Sequence, residues 1–279
     1  MGGDRVTIRG MADSEPDIAA LFAPLPAAQA SEVVLSEARQ VLAQLREPID
    51  AELWGSDLIG ALSRRTVGAG QAAGGGPAGR AGLTGGGYQA QDAAEAGVMA
   101  ELAESLVPAA ERSATPEAVA LLRVLGAIGT AQLSIAATAA ADRVTAAGVP
   151  DPAWAAVIGS PAVGRCWHYS DIGGQQESVT VTFGYGTAEH ALSVLIDHGR
   201  GGKIKDAWVD NAAGLLDKTW LAAENDPLVV FEEIAPLDAR GRLARAAAAG
   251  EGPAKPDEAD DLAAHRALLH ARIRYLATA

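Results

Sequence analysis

The stretch "ESVTVTFGYGTAEHALSVLIDHGRGGKIKDAWV", Glu177 to Val209, decides the fold. In its first part every second residue is large and apolar. Val179, Val181, Phe183 and Tyr185 point one way, and Ser178, Thr180, Thr182 and Gly184 point the other. A period of two with β-branched and aromatic residues predicts a half-buried strand. On that reading Val181 is a core position and Thr180 faces water, where a charge is tolerated. "HALSVLIDH" and "KIKDAWV" continue as strands, and "RCWHYSD" upstream supplies one more. The connections "DIGGQQ", "GYGTAE" and "GRGG" are short and glycine-bearing, as hairpins require. The expectation is a four-stranded antiparallel β-meander over about residues 165–210. In the third strand both faces carry apolar residues, which predicts cover on both sides. "PLVVFEEIAP" further on fits a short strand or a helical turn equally.

Outside this region the apolar period is that of helices. "MADSEPDIAALF" reads as a first helix with Ser14 as cap, and the residues before Met11 look dispensable. "ASEVVLSEARQVLAQL" and "DAELWGSDLIGAL" read as an antiparallel pair, with Leu53, Trp54, Leu58 and Leu62 on one face. Thr115, Pro116 and Glu117 form a strong helix start. "TAQLSIAATAAADRVTAAGVP" stops at Gly148 and Pro150. "NAAGLLDKTWLAAE", "LDARGRLARAAAAG" and Asp257 to Leu276 complete the set. In the last of these, acids at the start and His270, Arg272 and Arg274 at the end match the helix dipole. The fold class expected is α+β, mostly helical, with the sheet packed against helices. The organisation expected is a helical segment over 1–66, a glycine-rich linker over 67–87, a helical hairpin region over 88–150, and an α+β region over 151–279.

Composition limits the function. With 279 residues and a net charge of −13, the chain repels nucleic acid and anionic lipid at long range. The single cysteine, Cys166, excludes an internal disulfide and any multi-cysteine metal site. No apolar run is long enough to span a membrane, and the N-terminus lacks the apolar core of a secretory signal. A cytoplasmic location is expected. The ten glycines between Val67 and Gly87 match no phosphate-binding loop. No strand precedes them and no Gly-Lys-Ser/Thr follows.

The polar residues of the meander are the candidate site. Asp197 and His198 stand where the third strand meets the "GRGG" turn, and Asp171 ends the first strand. In a meander the first and third turns fall on one edge, so these three are spatial neighbours and candidates for general-base chemistry. Lys203, Lys205 and Asp206 on the returning strand are candidate binding residues. His190 and His198 stand about 26 Å apart along one strand at ~3.3 Å per residue, too far to share a metal. Cys166 and His168 share a face about 6.6 Å apart on the same spacing, with no evident residue to orient the histidine; a buried, inert thiol is the expectation. No metal and no cofactor are implied.

The run from Pro150 to Val209, with "EHALSVLIDH" and "KDAW" at its centre, resembles a family of uncharacterised proteins from high-GC actinobacteria. Its members pair a helical N-terminal half with a similar hairpin. The family has no established activity, so the resemblance implies an architecture and no mechanism. The functional expectation is a non-enzymatic, protein-binding adaptor or regulator. The alternative is a small-molecule hydrolase or ligand-binding enzyme using Asp171, Asp197 and His198. Nucleic acid and membrane are not expected partners.

Overall fold

The computed structural model describes residues 27–73, 86–252 and 256–276. The expected first helix around Ser14 lies outside them, as do residues 74–85 of the expected linker. The described chain begins with α1 (Ala27–Val41) and α2 (Pro48–Ala73). α2 starts at Pro48, two residues before "DAELWGSDLIGAL" begins, and runs on through Val67–Ala73, which was expected to belong to the linker. α3 (Gly86–Glu101) widens into a π-helical turn, Leu102–Leu106, before α4 (Val107–Ser113). Pro108 accounts for the widening: it has no N–H, and its ring collides with the carbonyl one turn back in a regular helix. α5 (Pro116–Ile128) and α6 (Ala131–Ala146) form the expected hairpin, and the Thr115 side chain accepts the Ala118 N–H at 3.2 Å.

The sheet follows as β1 (Ala162–Asp171), β2 (Gln176–Tyr185), β3 (Ala188–Asp197) and β4 (Lys203–Asn211). Then come α7 (Ala212–Glu224), β5 (Val229–Ile234), α8 (Pro236–Ala249) and α9 (Pro256–Leu276). All pairings are antiparallel in the order β4-β3-β2-β1-β5. The sheet thus has five strands rather than four. "VVFEEI" joins the outer edge of β1, a long-range pairing that no local pattern announces. Gly186, with φ of 67°, makes the two-residue turn between β2 and β3.

Residues opposite one another in register share a face. One face carries Cys166, Val179, Val181, Phe183, Leu192, Val194 and Ile196, all buried against Leu243 of α8 and Leu262 and Leu269 of α9. The other carries Thr180 opposite Ser193, their hydroxyls 2.6 Å apart and both side chains buried. The expectation that Thr180 faces water is therefore wrong. α7 folds back over β3, β4 and β5, and Ala191, Ala212 and Leu215 pack together beneath it.

A second core fills the helical half, with Leu58, Leu121, Leu122, Leu125 and Leu133 fully enclosed. α9 belongs to both cores: Ala267, Leu268 and Ala271 turn to the helices, Leu262 and Leu269 to the sheet. Its approach to α2 is close. A Cβ on Gly60 would lie 2.3 Å from the Ala263 carbonyl oxygen, so only glycine fits there.

Candidate functional site

Three places on the sheet concentrate chemistry. The first is the end that holds turns one and three. These turns are neighbours, as the meander predicts: the His198 N–H donates to the Gln175 carbonyl at 2.9 Å, and Gln176 pairs with Asp197. Asp171 uses both carboxylate oxygens on its own turn, accepting the N–H groups of Gln175 at 3.1 Å and Gln176 at 3.0 Å. Those backbone donors hold its carboxyl below the usual range. Asp197 lies 3.7 Å from the Arg200 guanidinium. His198 faces neither aspartate. Its Nε2 lies 3.2 Å from Oε1 of Glu177, the first residue of the "ESVTVTF" run.

Glu177 is the hub of this end. It is buried, and Oε2 lies 2.9 Å from His168 Nε2 and accepts from Arg242 of α8 at 2.5 Å. The His168 hydrogen bond is the leading cause that holds its carboxyl down to about 2, with Arg242 and His198 adding attraction against the opposing effect of burial. His168 Nδ1 lies 3.5 Å from Glu232 on β5. His198 is about two-fifths exposed, so the cluster opens to solvent through that ring. Among the described residues no group of His, Cys, Asp and Glu has the geometry to hold a metal ion. A narrow cleft between α2 and α9, lined by Ile59, Ser63, Ala263 and Arg266, includes no residue of these turns.

The candidate binding residues of β4 diverge. Lys205 is the extra residue at a bulge, where Ile204 pairs with Ile196 and Asp206 with Leu195. Asp206 is buried and accepts the Ala207 N–H at 2.9 Å, while Lys203 pairs with Asp197 at the strand end. Cys166 is buried, and desolvation pushes its thiol up to about 11, as an inert cysteine requires.

The second place is the opposite end of the same face. Glu52 of α2 and Arg272 of α9 form a two-pronged ion pair at 3.1 and 2.5 Å, with side chains 0% and 2% exposed. Tyr185 Oη donates to Glu52 at 2.8 Å, and the Gly159 N–H lies 3.1 Å from the same oxygen. Burial would lower the Arg272 pKa, and Glu52 more than offsets this and raises it. His190 stacks between Phe183 and Tyr185. Burial first, then the Arg272 charge, holds its imidazole down to about 3, so the ring is neutral. This end is enclosed and pins the helical half to the sheet. Arg272 and Arg274 were expected to serve the helix dipole. Instead Arg272 makes the buried pair, and Arg274 donates to the carbonyls of Ile128 and Gly129 at the end of α5.

The third place is the rim formed by β5 and α7. Phe231 stacks on Trp167 with centroids 5.0 Å apart and meets the edge of Trp220 at 5.9 Å. Trp220 is 51% exposed, Leu221 61%, Leu228 57% and Ile172 65%. The Ile172 N–H donates to the Leu228 carbonyl at 2.8 Å, which sets these two side by side. Sequence reading singled out none of them. Trp220 sits in an apolar helix whose buried face is set by Leu215, and Phe231 in a segment of undecided type.

No family model, curated protein or solved structure matches the chain. The likeness of Pro150–Val209 to uncharacterised actinobacterial proteins therefore stands as an expectation. No described helix is long and apolar enough to cross a membrane.

Proposed function

We propose that the protein is a cytoplasmic, non-enzymatic adaptor or regulator that binds another protein through the rim of β5 and α7. The observation that supports this reading is the aromatic and aliphatic cluster around Trp220 and Phe231: Trp220 is 51% exposed, and the other described aromatics are buried or half-buried. Water contact with such a cluster is unfavourable by ~25 cal/mol per Å², and a partner that covers it recovers that free energy. Tryptophan and its aromatic neighbours are the side chains that dominate protein–protein binding. The test is cross-linked capture from native cells with the full chain, compared with Trp220→Asp and with Ile135→Asp, a lone exposed isoleucine on α6 at 72% exposure. A partner retained by the Ile135 variant and lost by the Trp220 variant supports the reading. A partner set unchanged by Trp220→Asp refutes it.

A second reading keeps the enzyme alternative, on one observation: the half-exposed His198 ring is backed by the buried Glu177 carboxylate. A histidine so oriented is a general base for a small hydrolysable substrate. The replacement of Asp171 and Asp197 by Glu177 as its carboxylate partner is what the geometry favours. His198→Gln would then abolish turnover by about a hundredfold or more without altering the Trp220-dependent capture.

A further inference from the structure

We infer that the partner adds a strand to β5: it is an extended segment of a second protein, pairing antiparallel with Val229–Ile234 and carrying a basic residue next to apolar ones. This rests on the protein-binding reading above.

The sheet has two outer strands, and they differ. β4 is occupied at Ile204, whose N–H donates to the Gly250 carbonyl at 3.0 Å and whose carbonyl accepts from Gly252 at 2.7 Å. β5 is outermost on the other side, and among the described residues no strand lies beyond it. Its phase follows from one hydrogen bond. The Ile172 N–H reaches the Leu228 carbonyl, and the register continues Asp171 to Val229, Ser170 to Val230 and His168 to Glu232. Bonding direction alternates along a strand. Val230, Glu232 and Ile234 therefore bond inward to β1, and Phe231 and Glu233 turn their N–H and C=O groups outward. These are the groups an added strand takes up.

Side chains set the partner's character. Its residue opposite Phe231 lies on the α7 side, beside Trp220, and is apolar. Its neighbours fall on the other side of the sheet, opposite Val230 and Glu232. The rim is acidic: Glu224, Asp226, Glu232 and Asp238 are all exposed. Arg165 is committed to Glu233 and Arg242 to Glu177, His168 Nδ1 stands 3.5 Å from Glu232, and the exposed Lys218 of α7 is outnumbered by these acids. A basic residue opposite Glu232 completes the charge balance. Read in the antiparallel direction, the motif is basic, then aromatic, then aliphatic. A second copy of this chain fits less well, because two rims of this charge, each on a chain of net charge −13, would meet along one seam.

The test uses the full chain and two blocked peptides, one with Lys-Phe-Val at its centre and one with Glu-Phe-Val. Anisotropy measures binding, and hydrogen exchange measures protection of residues 229–234. The lysine peptide is expected to bind at least about tenfold tighter than the glutamate peptide and to slow exchange in β5. Glu233→Pro removes an outward N–H and leaves the bonds to β1, so it should cost about tenfold or more in binding. Glu232→Lys, at a side chain 57% exposed, should reverse the preference between the peptides, with an unfolding curve confirming that the variant is folded. The inference is overturned if neither peptide saturates by about 1 mM, if both bind equally, or if Glu232→Lys leaves the preference unchanged. It is also overturned if the free protein forms a dimer that Glu233→Pro dissolves, which would make a second copy the occupant. Trp220-dependent capture that persists while the lysine peptide fails removes strand addition alone. Loss of both removes the protein-binding reading as well.

Discussion

Changing Glu52 to Gln tests the enclosed pair with Arg272. The amide keeps the size and one acceptor of the carboxylate, so the Tyr185 hydroxyl and the Gly159 N–H keep a partner. The Arg272 charge, 2% exposed, loses its counter-charge. At an effective dielectric of about 20 and roughly 4 Å between charge centres, the attraction lost is ~4 kcal/mol. Breaking one side of a buried pair in other proteins costs a similar ~3–5 kcal/mol. At ~2.1 cal/mol/K of unfolding entropy per residue, that loss in a chain of 279 residues is a fall of roughly 7 °C in Tm. The replacement of both partners, Glu52→Leu with Arg272→Met, takes both charges out of the interior and should recover much of the loss. Equilibrium unfolding in guanidinium, followed by circular dichroism and tryptophan fluorescence, measures Glu52→Gln, the double variant, and Glu52→Leu and Arg272→Met singly. A Glu52→Gln protein within about 0.5 kcal/mol of the parent, or a double variant as unstable as the sum of the singles, would refute the argument that the charges depend on each other.

Stability should also fall as pH drops below neutrality. His190 is held to about 3 in the folded state against 6.5 unperturbed, so the unfolded chain takes up its proton first and stability declines from about pH 6.5 downward. Glu177, held to about 2 against 4.5, adds a second decline below about pH 4.5. His190→Phe, which preserves the stack on Phe183 and Tyr185, should flatten the first part of a plot of unfolding free energy against pH and leave the second. Gly60→Ala gains ~1 kcal/mol of helix propensity yet should destabilise by more than that, because the added methyl meets the Ala263 carbonyl; a raised Tm would show that α2 and α9 part easily. Val181→Asp and Thr180→Asp should both unfold or severely destabilise the chain in a denaturant titration, since one buries a carboxylate in the core and the other breaks the hydroxyl contact with Ser193.

The meander was legible because alternation is local: Val179, Val181 and Phe183 announce their face within five residues. The Thr115-Pro116 helix start was legible for the same reason. What failed needed distant partners. β5 is a strand because β1 offers it an edge, and "VVFEEI" alone does not carry that information. Thr180 is buried between Trp167 of β1 and Ser193 of β3, on a face whose pattern within β2 reads as solvent. The neighbourhood of turns one and three followed from topology, so Asp171, Asp197 and His198 were gathered in advance. The carboxylate that His198 meets is Glu177, which in sequence is only the polar start of a strand. Arg272 shows the limit most plainly. Its position suits a helix dipole, and only α2 reveals its role in the interior.

The Glu52–Arg272 pair joins residues separated by 220 positions in the chain. During synthesis at ~5–20 residues per second, α2 leaves the ribosome roughly 10–40 s before α9 follows. Through that interval the buried carboxylate has no counter-charge, and neither core can close, because α9 furnishes a wall of both. Contacts of such long reach form late and slow folding. An interaction absent from the folding transition state acts chiefly on the rate of unfolding. The pair should therefore behave as a latch: its loss leaves the folding rate nearly unchanged and shortens the lifetime of the folded protein.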